Sequence, residues 1–439
     1  MLTGAQRTPI GLRCRAMVAG AGHARRVTAV AGVVLVGVLL AGCGSVPDAG
    51  SVPVPAPSPA SAMSPAPVST PAPSSADALS AAVQRVLPTA YERLAANADS
   101  LDPAQGYPRS VTAGKGTWTT KPVDDWTSGF FPGELWLAHT LTRDPAWVAR
   151  AQRWTAPIAG QVTRTDTHDL GFVVDDSFGA QQDQTGQGAQ QVVTAARSLA
   201  TRYSPTVKAI KSWDTEGDDD KRGSWRFPVI IDTVMNLALL DRAAALPGGD
   251  PAWKGLATQH ALTASTTNMR PDGSIAHVAV FDPSSGQLVK RDTWQGAAPD
   301  STWSRGQGWA IHGFAAQARV AGNAELLAAA RKAADWWLAH TAPGARVPPW
   351  DFSRPGEERD TSAAAVAASG LLDLAAQTGD ARYRQAALET LDELATRDVA
   401  PDGPALLAHA AGGKPQGSEV DVGLVYADYY FLEAVGRAS

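Results

Sequence analysis

Cysteine is almost missing from this chain: 439 residues hold two, Cys14 and Cys43. Both fall within the first 43 positions, so the rest of the chain has no thiol, which excludes a disulfide framework and a cysteine-bound metal. Acidic residues are missing from the same front end, which carries five arginines and an apolar run from Val27 to Leu40. That run is shorter than the roughly 20 residues a membrane span needs. Alternating β-branched runs are few, which argues against a sheet-based fold. Histidines and carboxylates with metal-ligand spacing are also lacking, so no metal or organic cofactor is expected.

The front end has a form of its own. A basic start, a short apolar stretch and the ending Leu40-Ala41-Gly42-Cys43 read as a lipoprotein signal peptide over 1–43, with Cys43 taking the lipid. Residues 44–76 are rich in Pro, Ala and Ser and read as a tether, about 3 Å per residue if extended. A catalytic domain over 77–439 then follows. The expected location is the extracytoplasmic face of a bacterial cell membrane, reached through the lipid alone. Loss of the five leader arginines takes the formal net charge from −5 to −10. An acidic surface points away from nucleic acid and from anionic membrane. The expected state is a monomer.

The domain reads as Ala- and Leu-rich helix. Segments beginning at Asp144, Asp250, Asn323 and Asp380 each open with a capping residue and continue as an amphipathic helix. Between them lie helices entered from loops rich in Trp, Gly, Asp and His: Gly129 to Leu141, Val229 to Ala245, Gly306 to Val320, Ser362 to Ala376 and Tyr426 to Gly436. Six such hairpins closed into an all-α toroid suit this length better than an open solenoid. Inner helices would line a funnel, with the loops at its mouth.

Chemistry gathers in those loops. The stretch DDWTSGFFPGELW, Asp124 to Trp136, joins aromatics to acids as a sugar-binding mouth does, although Trp126 and Phe130 also have core-stripe spacing. In His168-Asp169-Leu170-Gly171-Phe172, Asp169 is either catalytic or a cap. Asp232 interrupts the apolar run Phe227 to Leu237, where desolvation would raise its pKa and fit it for general acid work. It also has the place of a helix cap. His277 closes Ser-Ile-Ala-His, and Arg305 lies in Thr-Trp-Ser-Arg-Gly-Gln-Gly-Trp between Trp303 and Trp309, a setting that suits an anionic sugar. Pro349 to Phe352 and Asp360 to Ser362 complete the set.

The ordered motifs WTSGFFPGELW, HDLGF, IIDTVMNL, STWSRGQGWAIHGF, WDF with RDTSAAAVAASGLL, and YADYYFLEA resemble those of the unsaturated glucuronyl hydrolases, family 88 of the glycoside hydrolases, over Trp126 to Ala434. The resemblance implies an (α/α)6 barrel and removal of the 4,5-unsaturated uronic acid that polysaccharide lyases leave at a non-reducing end. It implies hydration of the ring double bond, with Asp232 as the acid and Asp169 in support. It further implies that Trp126 stacks on the uronate, Trp303 and Trp309 shape the pocket, and His277, Gln295 and Arg305 lie by the substrate. The chain departs from the family's His-Gln-Gly at Trp294-Gln295-Gly296. Lys414 and Ser418 would meet a second sugar. The competing readings are an inverting glycosidase on intact glycans and a non-catalytic sugar-binding lipoprotein.

Overall fold

The computed structural model describes residues 78–112 and 114–439, so the expected leader, Cys43 and the tether lie outside the described residues. Among the described residues twelve α-helices follow in chain order: α1 (Ala81–Ser100), α2 (Phe130–Thr142), α3 (Ala146–Thr155), α4 (Ala180–Thr185), α5 (Ala189–Ala200), α6 (Ala238–Ala244), α7 (Ala252–Thr267), α8 (Ser304–Ala321), α9 (Ala324–His340), α10 (Thr361–Thr378), α11 (Ala381–Arg397) and α12 (Val425–Ala438). None of them is long and apolar enough to cross a membrane.

Side chains open the helices where the sequence places them. Oδ1 of Asp144, Asp250, Asn323 and Asp380 accepts amide N–H groups at the starts of α3, α7, α9 and α11. Each bond satisfies a donor that a first helical turn leaves orphaned. Odd-numbered helices form the outer layer. The inner layer closes on itself: α2 packs on a π-helical segment (Gly171–Gly179) that runs into α4, this on a 3₁₀ segment (Ile231–Leu237) that runs into α6, then come α8, α10, α12 and α2 again. The result is the (α/α)6 barrel that the sequence motifs imply.

Small residues let the inner helices approach. A Cβ on Gly370 of α10 would stand 2.7 Å from the His312 backbone of α8, so the contact needs glycine. Every residue of α10 from Thr361 to Leu374 is buried, which explains its alanine run. A helix buried on every face in this way packs between neighbours rather than facing water.

Short antiparallel sheets cap the site end, a feature the sequence reading did not foresee. One has the order β2 (Thr119–Lys121), β1 (Tyr107–Thr112), β9 (Ser418–Leu424), β8 (Ala410–Gly413); another is β5 (Phe227–Ile230), β6 (Val278–Phe281), β7 (Leu288–Asp292). A two-stranded pair, β3 (Tyr203–Ser204) and β4 (Ala209–Ile210), completes them. The helix expected over Val229 to Ala245 is corrected accordingly. Pro228 and the β-branched run after it extend and pair with β6, Phe227 opposite Phe281 and Ile230 opposite Val278, and α-helix begins only at Ala238. Ile231 N–H donates to the His277 carbonyl at 3.0 Å and ends the ladder.

Candidate active site

Two segments bring the carboxyls together. Gly171, two residues after Asp169, has no room for a Cβ, which would lie 2.4 Å from Cα of Asn236. The Asn236 side-chain oxygen accepts from Phe172 N–H at 2.8 Å. The HDLGF turn is thereby locked against the turn that carries Asp232.

Above them opens a cavity of about 340 Å³, a size suited to a small ligand. Asp169, Asp232 and His168 line its polar side, Trp126, Trp213 and Trp294 its aromatic walls, and Gln295, Gln416 and Ser418 its rim. Asp232 is 8% exposed. Burial pushes its pKa up to about 7, against the downward pull of Arg305 and with a further upward push from Asp169. Its Oδ2 is buried with no aligned hydrogen-bond partner.

His277 backs Asp232. Its Nδ1 accepts from the N–H groups of Trp294 and Gln295 at 3.1 and 3.2 Å, so a neutral ring carries its hydrogen on Nε2. Burial, then the Arg305 charge, drives the His277 pKa down to about 3. The ring is therefore a neutral donor whose Nε2 lies 3.7 Å from Oδ2 of Asp232.

The expected site residues divide into two groups. Trp126, Asp169, Asp232 and Gln295 line the cavity. His277, Trp303, Arg305 and Trp309 lie behind its wall. For Arg305, expected beside the substrate's anionic groups, the structure differs. It is 1% exposed, and Nη1 donates to Asp360 Oδ2 at 3.0 Å, Ser362 Oγ at 3.2 Å and the Ala411 carbonyl at 2.6 Å. Nη2 donates to the Gly412 carbonyl at 2.9 Å. A guanidinium so occupied holds the β8 edge of the pocket in place instead of presenting a free charge. Asp360 and Ser362, which the sequence placed in the same set of site residues, are its partners. Trp303 lies against the guanidinium, 4.6 Å from it, and His277 packs on Trp303 at 4.8 Å.

Sequence reasoning missed the cations of the cavity itself. Arg109, from β1, lies 5.0 Å from the Trp126 ring and is bidentate to Glu419 at 2.7 Å. Arg222 lies 4.2 Å from the Trp294 ring, and its side chain is 28% exposed. Trp213 was missed as well, although Trp213-Asp214 repeats the Trp and acid composition of the other site loops. Lys414, expected at a second sugar, is absent from the lining and pairs with Glu358, whereas Ser418 is on the rim. Among the described residues no group of three or more His, Cys, Asp or Glu is arranged to hold a metal.

Compared with models of known protein families, the chain matches none. Individual proteins give a different result. It is 41% identical over 346 residues to the unsaturated glucuronyl hydrolase of Formosa agariphila, covering 76% of this chain and 85% of that protein. Identity to the unsaturated glucuronyl hydrolase of Bacillus sp. strain GL1 is 34% over 346 residues, covering 74% and 89%. Among solved structures, an unsaturated glucuronyl hydrolase specific for heparin superposes with a TM-score of 0.76 at 34% identity, over 81% of this chain and 96% of that one. With this identity over most of its length and the same barrel, the chain belongs to the unsaturated glucuronyl hydrolases, glycoside hydrolase family 88.

Proposed function

We propose that the protein removes the 4,5-unsaturated uronic acid from the non-reducing end of lyase-generated oligosaccharides, by hydration of the ring double bond. The observation that carries this reading is Asp232. It is a buried carboxyl that holds a proton up to about pH 7, opening on a cavity lined by Asp169 and Trp126. A group that is half protonated near neutrality can give a proton and take one back within a single turnover.

In this mechanism the uronate ring lies on Trp126 with its double bond over Asp232. The Asp232 hydroxyl gives its proton to C4. The carboxylate that results takes a proton from the water that attacks C5. A hemiketal forms at C5, opens, and expels the remaining sugar as leaving group. His277, a neutral donor behind Oδ2, steadies the carboxylate in the interval. Arg222 and Arg109 supply positive potential at the mouth, although Asp220 and Glu419 partly offset it. The leaving group is expelled from an opened ring, so carboxylate separation does not predict retention or inversion here.

The protein is further proposed to act as a monomer tethered through Cys43 on the outer face of the bacterial membrane. The Leu40-Ala41-Gly42-Cys43 sequence and the Pro-rich stretch after it support this.

The test is turnover on unsaturated disaccharides from chondroitin, hyaluronan, heparin, gellan and xanthan, followed by loss of ultraviolet absorbance of the conjugated uronate. In heavy-oxygen water the label should enter the released keto acid at C5. Label at C1 of that acid instead, or cleavage of saturated glycosides at an equal rate, overturns the hydration mechanism and favours an ordinary inverting glycosidase.

A further inference from the structure

His168 is unused by the reaction as derived above, yet it is buried against one of the two site carboxyls. Its Nδ1 faces the Ser212 carbonyl at 2.7 Å, which also receives a donor from Arg202 at 3.3 Å. A carbonyl can only accept, so the hydrogen of a neutral ring is fixed on Nδ1. That leaves Nε2 as a bare acceptor. It is buried without an aligned partner and lies 3.2 Å from Oδ1 of Asp169. His277 is the mirror case, with Nδ1 accepting and Nε2 carrying hydrogen towards Asp232. The two site carboxyls thus face imidazoles of opposite tautomer.

Two acceptors cannot attract one another. The approach of Nε2 to Oδ1 becomes favourable when one proton lies between them, which leaves the His168–Asp169 pair uncharged overall. We propose that His168 is a positioning residue that holds this proton against Asp169, so that the pair as a whole meets an anionic uronate without net charge. Burial lowers the His168 pKa and Arg202 adds to that, so the Asp169 charge and the Ser212 carbonyl are the groups that favour a proton on the ring, while burial keeps His260 and His277 neutral. Thr167 Oγ1 donates to Oδ2 of Asp169 at 3.3 Å, which leaves Oδ1 to His168. Ser212 also bonds Thr233, the neighbour of Asp232, at 2.9 Å, so the ring's anchor ties both site segments together.

The inference rests on the reading that Asp169 and Asp232 are the reacting pair, and its test separates the two. His168→Asn keeps an amide donor for Ser212 but has nothing at the Nε2 position. His168→Gln reaches the Nε2 position with a carbonyl acceptor. His168→Asn should lower kcat/KM by at least about tenfold, with KM for the uronate rising, and His168→Gln should recover part of the loss. A merely structural ring predicts the reverse order. In wild-type protein, nitrogen-15 imidazole spectra should show His168 with hydrogen on Nδ1, and Asp169→Asn should shift its Nε2 signal. This second measurement stands even where the variants fail to fold. A ring without hydrogen on Nδ1, an Nε2 signal that Asp169→Asn leaves unmoved, or His168→Asn with wild-type kcat and KM, overturns the proposal while leaving the catalytic pair intact. If Asp169→Asn and Asp232→Asn both retain turnover, the catalytic reading fails and takes the inference with it.

Discussion

Nε2 of His277 lies 3.7 Å from Oδ2 of Asp232, and the opposite nitrogen of the same ring is held by two backbone amides. A neutral donor aimed at a buried carboxyl is an arrangement for holding that carboxyl through a change of charge. Four expectations follow from this site and from the chain around it.

Asp232→Asn preserves shape but cannot give or take a proton. Turnover should fall by roughly 10²–10⁴-fold, as loss of a general acid or base does. In the wild type the acid must begin protonated, so kcat/KM should decline as pH rises through about 7, where burial holds the Asp232 proton. A profile that is flat from pH 5 to 9, on a substrate whose capture is not limiting, removes Asp232 from this role.

The same substitution should make the fold more stable at high pH. Asp232 binds its proton more tightly folded, at about 7, than unfolded, near the model-peptide value of about 3.9. Folding therefore takes up a proton between these limits, and stability declines as pH rises across that window and levels off above it. The shift corresponds to at most about 4 kcal/mol. Asp232→Asn should raise Tm at pH 8 by more than at pH 5, which calorimetry at the two pH values will decide.

Arg305→Ala leaves Asp360 buried without its cation. Breaking a buried pair from one side costs about 3–5 kcal/mol, so the main effect should be on stability. Loss of activity should follow from displacement of Gly412 and Trp303, both of which Arg305 contacts. A variant with wild-type Tm and a raised KM alone would return Arg305 to the substrate.

Cys43→Ala should release the protein from the membrane or leave its leader unprocessed. Fractionation with mass spectrometry of the new N-terminus measures this. Wild-type protein found unlipidated in the cytoplasm contradicts the anchored location.

Most of the architecture was legible in the sequence because its determinants are local. Acceptor side chains at Asp144, Asp250, Asn323 and Asp380 that take up first-turn amides, followed by Ala-rich amphipathic periods, specify helices whatever surrounds them, and their regular alternation specifies a closed double layer. Asp232 and Trp126 were legible because each is conspicuous against its own neighbours, an acid in an apolar run and a tryptophan in a polar loop, whereas Asp169 was legible as either catalytic or a cap and Gln295 only through the resemblance of the ordered motifs.

The short strands were not legible, since their pairing joins residues far apart, as in Ser110 with Leu424. That pairing brings Glu419 to Arg109 and sets Arg109 against Trp126. The reading of Arg305 as a substrate ligand failed for the same reason: its partner Asp360 is 55 residues away. The sequence by itself determined the helices that close the barrel and the gathering of acids and tryptophans in the loops between them. Only the tertiary structure decided which charges stay free. Whether a guanidinium is a ligand or a strut, and which imidazole nitrogen keeps its hydrogen, depends on the carbonyls and carboxylates that folding brings within about 3 Å.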